Sequence, residues 1–213
     1  MNNKNTVSFL YRITEWIMLL AYVNLLWFFF SIVGLVVFGV FPSTAGLFAV
    51  IRKWLNRGTD TPVWRTFWQT YRKEFLKANV VGYLFVLIGW LLFIDLKFFQ
   101  QQGSAFGVIL SYVFVIAFII YMVMGLFLFP VFVHYELKVL QYIKQTFLIV
   151  MLRPLEVIIA VAGSIGVYYL MIYVPGLIPF FSISSLAYVT MWSAYRAFEK
   201  ISLKFNARQG TDD

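Results

Sequence analysis

The sequence predicts an all-α protein, a polytopic membrane helix bundle of about five transmembrane helices with amphipathic helices along one membrane face. Composition gives two reasons: 62% of the 213 residues are hydrophobic, and only 12% are charged. A soluble domain holds about 25% charged residues and cannot bury so much apolar surface in one core. The third reason is that the chain contains apolar segments of about 20 residues, the length that crosses a bilayer. We expect one membrane domain over residues 1–213.

Five apolar segments qualify as spans, and turns or polar stretches separate them. The last two are joined only by the short stretch from Pro175 to Pro179, which is typical of a tight turn. Ser31, Gly34 and Gly39 allow an alternative in which the first segment is a re-entrant pair, leaving four crossings and both chain ends inside. The expected spans are residues 16–41, 79–97, 105–133, 155–174 and 177–197.

Lysine and arginine predict the orientation, because cytoplasmic loops carry an excess of both. The C-terminus is therefore expected in the cytoplasm, and five crossings would place the N-terminus outside the cell. Lys4 and Arg12 would then lie outside, against the rule, which keeps the re-entrant alternative open. The expected cytoplasmic basic residues are Arg52, Lys53, Arg57, Arg65, Arg72, Lys73, Lys77, Lys138, Lys144, Arg153, Arg196, Lys200, Lys204 and Arg208.

Three segments, residues 43–57, 62–77 and 134–152, have the pattern of amphipathic helices that lie in a membrane interface. The first two would form a hairpin on the cytoplasmic face. Such a hairpin either rests on the lipid bilayer, against anionic headgroups, or docks a protein partner. The residues that we expect to contact a partner are Arg52, Trp54, Trp64, Arg65, Trp68 and Arg72.

Small and polar residues inside the spans predict close helix packing, since small residues let membrane helices approach and polar side chains bond across them. Ala162 and Gly166 are four residues apart in the fourth span, and Gly82 and Gly89 are seven apart in the second. A seam for another membrane subunit is the alternative use of these positions. The full set of expected packing residues is Asn24, Ser31, Gly34, Gly82, Gly89, Ala162 and Gly166.

No residue pattern predicts catalysis, a cofactor or a metal site. The chain has no cysteine, and its single histidine, His134, has no ligand pattern around it. Hydrolase, zinc-protease and phosphate-binding motifs are absent from the sequence. The net charge of +8 is assigned to the membrane surface and not to nucleic acid. We therefore expect a protein that is not an enzyme.

The stretch AYVNLLWFFFSIVGLVVFGVFPSTAGLFAVIRKWL, residues 21–55, followed by FWQTYRKEFLKANVVGYL, residues 67–84, resembles the YesL family of small bacterial integral membrane proteins. Asn24, Trp27, Ser31, Gly34 and the corner at 42–45 carry the resemblance. The family is built around a domain of unknown function, so the resemblance implies no catalytic residues. It implies a bacterial cell membrane and an association with ABC importers of oligosaccharides and with sensor kinases.

The leading functional hypothesis is a non-enzymatic accessory or regulatory subunit of a carbohydrate ABC importer or of its membrane sensor. Its expected partners are an importer permease, a sensor kinase or a second copy of the chain, with no cofactor. The alternative is a small self-sufficient oligomeric transporter or channel, which needs a polar path across the bilayer. A purely structural membrane protein is the third hypothesis.

Overall fold

The computed structural model describes residues 2–102 and 104–209, with side chains from 11 to 102 and from 104 to 203. Lys204 and Arg208 of the predicted cytoplasmic basic residues, and Lys4, lie outside the described side chains. Within the described residues the chain is all-α and has no strand, which confirms the predicted class. The helices are α1 (Asn2–Val33), α2 (Val40–Arg57), α3 (Val63–Lys73), α4 (Phe75–Gln101), α5 (Ala105–His134), α6 (Val139–Leu152), α7 (Pro154–Tyr173) and α8 (Ile178–Gln209), with a 3-10 turn at Pro175–Leu177.

Five segments of the described chain are helical, long and apolar enough to cross a membrane, as the hydropathy pattern predicts. They lie in α1, α4, α5, α7 and the run that includes the 3-10 turn and α8. Their bounds are Tyr11–Val33, Phe75–Gln101, Ala105–His134, Pro154–Tyr173 and Pro175–Leu203. The protein is therefore a multi-pass membrane helix bundle.

The first apolar segment is shorter than residues 16–41, because the chain reverses direction after Val33. Residues 34–39 form a tight turn, in which Leu35 and Val36 adopt positive φ angles of 58° and 61°. The turn needs glycine at its two ends. A Cβ on Gly34 would overlap the backbone of Gly39, and a Cβ on Gly39 would overlap the end of α1.

Helix α2 returns antiparallel beside α1, which corrects its prediction as an interfacial helix. Trp27 of α1 donates a hydrogen bond from Nε1 to Oγ1 of Thr44 in α2, over 3.0 Å. The apolar face of α2 that carries Leu47 and Ile51 is fully buried. It packs against protein rather than lipid, because α1, α3, α4, α5 and α8 all contact α2. The helical spacing of apolar residues does not by itself distinguish these two environments.

Helix α8 also runs antiparallel to α1. Early in α1, the Trp16 ring lies 5.3 Å from the Tyr188 ring of α8. Later in α1, Asn24 bonds to Pro179 and Ser184, which come earlier in α8 than Tyr188. The N-terminal end of α1 and the C-terminal end of α8 therefore lie at the same end of the bundle. This differs from the expectation that the termini face opposite sides. The reason is that α2 adds one more reversal of chain direction.

Two further boundaries differ from the predictions. Glu74, with φ −98° and ψ 9°, interrupts the helix expected at 62–77, so that α3 ends at Lys73 and residues 75–77 begin α4. The helix expected at 134–152 begins at Val139, because residues 135–138 are not helical.

Helices α4 and α5 form an antiparallel hairpin, and α7 packs antiparallel on α8.

Candidate functional site

Helix α3 presents aromatic and basic side chains to its surroundings on one side, which we call the outer face: Trp64, Arg65, Trp68 and Arg72. Trp64 is 51% exposed and Trp68 is 40% exposed. Both arginines are exposed as well. The structure therefore brings four of the six predicted partner-contact residues together on one short helix.

The side of α3 next to the outer face fixes the helix to α1 and α2. The Phe30 ring of α1 lies 5.0 Å from the Tyr71 ring and 5.3 Å from the Phe67 ring. Burial raises the pKa of the Tyr71 phenol, and its hydroxyl donates a hydrogen bond to the Phe30 carbonyl over 3.3 Å. Trp64 and Trp68 also touch Phe30, with ring centroids 5.7 and 5.4 Å away. The outer face is thus held rigidly on the bundle.

Arg52 and Trp54 do not belong to the outer face, which corrects their assignment as partner contacts. Trp54 is 3% exposed and packs edge-on against Trp16 of α1, with ring centroids 5.8 Å apart. The guanidinium of Arg52 donates to the carbonyl of Val133 at the end of α5. Both residues point into the bundle because α2 is enclosed by other helices.

A cavity of about 630 Å³ opens behind α3, between α2, the first turn of α4, the end of α5 and the start of α6. We call it the basic cavity. Its cationic side chains are Arg52, Lys73 and Lys77, and its carboxylates are Glu74 and Glu136. The remaining lining residues are Ala49, Gln69, Thr70, Phe132, Val133, His134, Tyr135 and Tyr142.

Aromatic rings and a backbone carbonyl hold two of the cavity's cations in place. The Lys77 ammonium lies 5.0 Å from the centre of the Tyr142 ring and 5.9 Å from that of Phe132, within cation–π range. Lys73 is 3.7 Å from Glu74. Of the described residues, only Lys73 and Lys200 form an ion pair within 4.0 Å. Arg52 and Lys77 therefore have no described carboxylate within 4.0 Å.

The sequence did not indicate this cavity, because its residues come from five separate helix ends and the segment between α5 and α6. Lys73 and Lys77 belong to a basic cluster that was expected to face headgroups. Glu136 and Tyr142 carry no recognisable pattern. The one sequence signal for this cavity was the basic stretch around Lys77. Its position next to residues 132–142 depends on tertiary structure.

Asn24 and Ser31 are both buried in α1, but only one of them bonds across helices. The Asn24 amide donates to the carbonyl of Pro179 over 2.8 Å and accepts from the amides of Ile183 and Ser184 over 3.2 and 3.0 Å. The Ser31 hydroxyl has no hydrogen-bond partner among the described residues. Because Asn24 is engaged with α8, it does not line a polar path.

Three of the predicted packing glycines sit at close contacts. Gly34 lies against Gly39, Gly82 of α4 lies against the Phe41 ring of α2, and Gly89 of α4 lies against the phenol of Tyr121 in α5. A Cβ at any of these glycines would overlap its neighbour.

Ala162 and Gly166 lie on the exposed side of α7, which corrects their assignment to packing inside the chain. A Cβ on Gly166 would meet no described atom within 4 Å. The close contact of this helix falls instead on Gly163, against Val189 of α8. Ala162 and Gly166 are four residues apart and share one face of α7, whereas Gly163 is turned toward α8.

The described residues contain no group of three or more His, Cys, Asp or Glu side chains that could hold a metal ion. The single histidine, His134, packs its ring 4.3 Å from Phe198 of α8. This arrangement places the imidazole among aromatic rings, with one carboxylate, Glu136, nearby in the chain. The basic cavity, which His134 also lines, offers polar and cationic side chains to a ligand.

Comparison with known proteins gives a family model and several relatives. The model described as "Protein of unknown function, DUF624" matches residues 20–96, which cover the last part of α1, all of α2 and α3, and most of α4. The protein YteU of Bacillus subtilis (strain 168) is 35% identical over 201 residues, covering 94% of this chain and 90% of the relative. YesL of the same organism is 35% identical over 186 residues, covering 87% and 88%. YesV is 36% identical over 198 residues, covering 92% and 95%. No solved structure matches the chain.

Proposed function

The chain belongs to the YesL-like DUF624 family of membrane proteins, and we propose that it is a non-enzymatic accessory or regulatory subunit that binds another membrane protein. The partner that we propose is a permease of a carbohydrate ABC importer, of the oligosaccharide type, or its membrane sensor. The family resemblance supports the choice of partner. The observation that supports docking is the outer face of α3.

The outer face has the composition of a protein interface. Tryptophan and arginine are enriched among residues that dominate binding energies, and Trp64 and Trp68 are one helical turn apart and half exposed. Arg65 and Arg72 add positive charge beside them. An acidic loop of a membrane partner would complement the charge of the two arginines. Because Phe30 and Tyr71 hold α3 in place, little conformational entropy would be lost on binding.

We also propose that the end of the bundle where α1 begins and α8 ends faces the cytoplasm. Arg153 and Lys200, near the start of α7 and along the second half of α8, lie toward that end. The positive-inside rule assigns such an end to the cytoplasm. The same assignment puts both chain termini inside, in a bacterial cell membrane.

Alanine substitution of both tryptophans tests the docking proposal. In the variant Trp64→Ala with Trp68→Ala, we expect the amount of co-purified partner to fall at least about tenfold, because each tryptophan is an expected hot spot. Trp90→Ala is the matched control, since Trp90 is 59% exposed but lies on the spanning helix α4. The control should retain the partner, and all variants should reach the membrane fraction in equal amounts.

Undiminished recovery of the partner by the double alanine variant would contradict docking through α3. Solute flux into liposomes that hold only this chain would support the alternative of a self-sufficient transporter or channel. The structure gives that alternative little support, because Asn24, the buried amide of the first span, is bonded to α8.

A further inference from the structure

We infer that the basic cavity is a binding site for a phosphate ester that carries hydroxyl groups. This site is separate from the outer face of α3 and does not depend on the proposed docking. The membrane form of such a ligand is the headgroup of phosphatidylglycerol, and the soluble form is a glycerol phosphate.

The charge of Arg52 is the first reason. A guanidinium has five N–H donors. Among the described protein atoms, only the Val133 carbonyl accepts a hydrogen bond from the Arg52 guanidinium. No described carboxylate lies within 4.0 Å of it, and Glu136 attracts it only from further away. A partly buried cation is costly without a close counter-ion. An anion in the adjoining cavity would supply that counter-ion.

The second reason is that Lys77 and Lys73 border the same cavity as Arg52. Lys77 is held over the rings of Tyr142 and Phe132 and has no carboxylate within 4.0 Å among the described residues. A phosphate group has enough oxygen atoms to accept hydrogen bonds from a guanidinium and two ammonium groups at once. A single carboxylate would satisfy fewer of these donors.

The remaining polar side chains identify the rest of the ligand. Glu74, Glu136, Gln69 and Thr70 line the cavity beside the cations, and all four can accept hydrogen bonds. A ligand that was only anionic would be repelled by the two carboxylates. Hydroxyl groups next to the phosphate would instead donate to them. The cavity volume of about 630 Å³ lies in the range of small-molecule sites, which accommodates a glycerol phosphate group.

The test measures binding of two probes to the full-length protein in detergent. One arm titrates dioleoyl-phosphatidylglycerol against dioleoyl-phosphatidylcholine by native mass spectrometry, and the other titrates sn-glycerol 1-phosphate by calorimetry. The variants are Arg52→Gln and Lys77→Gln. Arg57→Gln is the matched control, because Arg57 is an exposed arginine on the same helix and does not line the cavity.

We expect one phosphatidylglycerol to bind per chain in preference to phosphatidylcholine, with affinity about tenfold or more lower in Arg52→Gln and clearly lower in Lys77→Gln. Arg57→Gln should bind like the wild type. Binding of glycerol 1-phosphate with the same dependence on Arg52 and Lys77 would support the site and assign a soluble ligand. Lys77→Gln keeps the test valid if Arg52→Gln fails to fold.

Three results would each overturn the inference. The first is that neither probe binds. The second is that phosphatidylcholine binds as well as phosphatidylglycerol and glycerol 1-phosphate does not bind. The third is that Arg57→Gln weakens binding as much as Lys77→Gln does, which would show general attraction to surface charge.

Discussion

Replacing Asn24 by leucine should destabilise the bundle, because this one side chain bonds α1 to the start of α8. Asn24 is 0% exposed and makes three hydrogen bonds of 2.8 to 3.2 Å to the backbone of α8. In an uninterrupted helix the amide of Ile183 would donate to the carbonyl of Pro179, and the Asn24 side chain bonds to both of these groups. Leucine has a similar volume but offers neither a donor nor an acceptor.

The size of the effect follows from these contacts. Hydrogen bonds between membrane helices average about 0.6 kcal/mol and reach about 1.7 kcal/mol. Three bonds therefore give about 2–5 kcal/mol. About 2–4 kcal/mol remains if α8 recovers part of the loss by closing its own backbone bonds. For a chain of this size that corresponds to a fall in Tm of roughly 5–15 °C.

Thermal unfolding in detergent micelles, followed by loss of the monodisperse peak in size-exclusion chromatography, measures the effect. Ser31→Ala is the matched control, because Ser31 is 4% exposed on the same helix and its hydroxyl has no partner among the described residues. The control should stay within about 2 °C of the wild type. Equal Tm values for Asn24→Leu and the wild type, or equal losses in both variants, would refute the reasoning.

Two further predictions concern packing and charge. Gly89→Ala should lower the free energy of unfolding by about 1–3 kcal/mol, because the added Cβ overlaps the Tyr121 phenol. The control is Gly166→Ala, which adds its Cβ in open space and should change the free energy little. Equal Tm values for the two variants in the same assay would contradict the α4–α5 contact. Lys200→Met should cost about 2 kcal/mol, since it leaves the carboxylate of Glu156, 3% exposed, without its 2.5 Å partner. The double variant Lys200→Met with Glu156→Gln should recover part of that loss, and strictly additive losses in a double-mutant cycle would show that the pair does not interact.

The sequence predicts the class and the long helices of this fold well, because membrane solvation imposes a strong local rule. A helix in lipid must satisfy its own backbone groups and needs about 20 apolar residues, so hydropathy locates α1, α4, α5, α7 and α8. The turn at residues 175–177 is equally local, since Pro175 and Pro179 bracket a glycine.

The position of α2 could not be predicted in the same way. Its apolar face, with Leu47 and Ile51, has the same periodicity whether it contacts lipid or protein. Only the turn after Val33 and the neighbouring helices decide that it is buried.

The outer face of α3 was predictable because Trp64 and Trp68 are close together in the sequence. The basic cavity was not, because Arg52, Lys77 and residues 132–142 meet only in the folded chain.

Affinity purification of the wild-type protein from its native membranes, in mild detergent and with mass spectrometry of the bound proteins, tests the proposed function most directly. The proposal predicts that a permease of a carbohydrate ABC importer or a membrane sensor is recovered in stoichiometric amount. Recovery of this chain alone, or of bound proteins that include neither a permease nor a sensor, would contradict it.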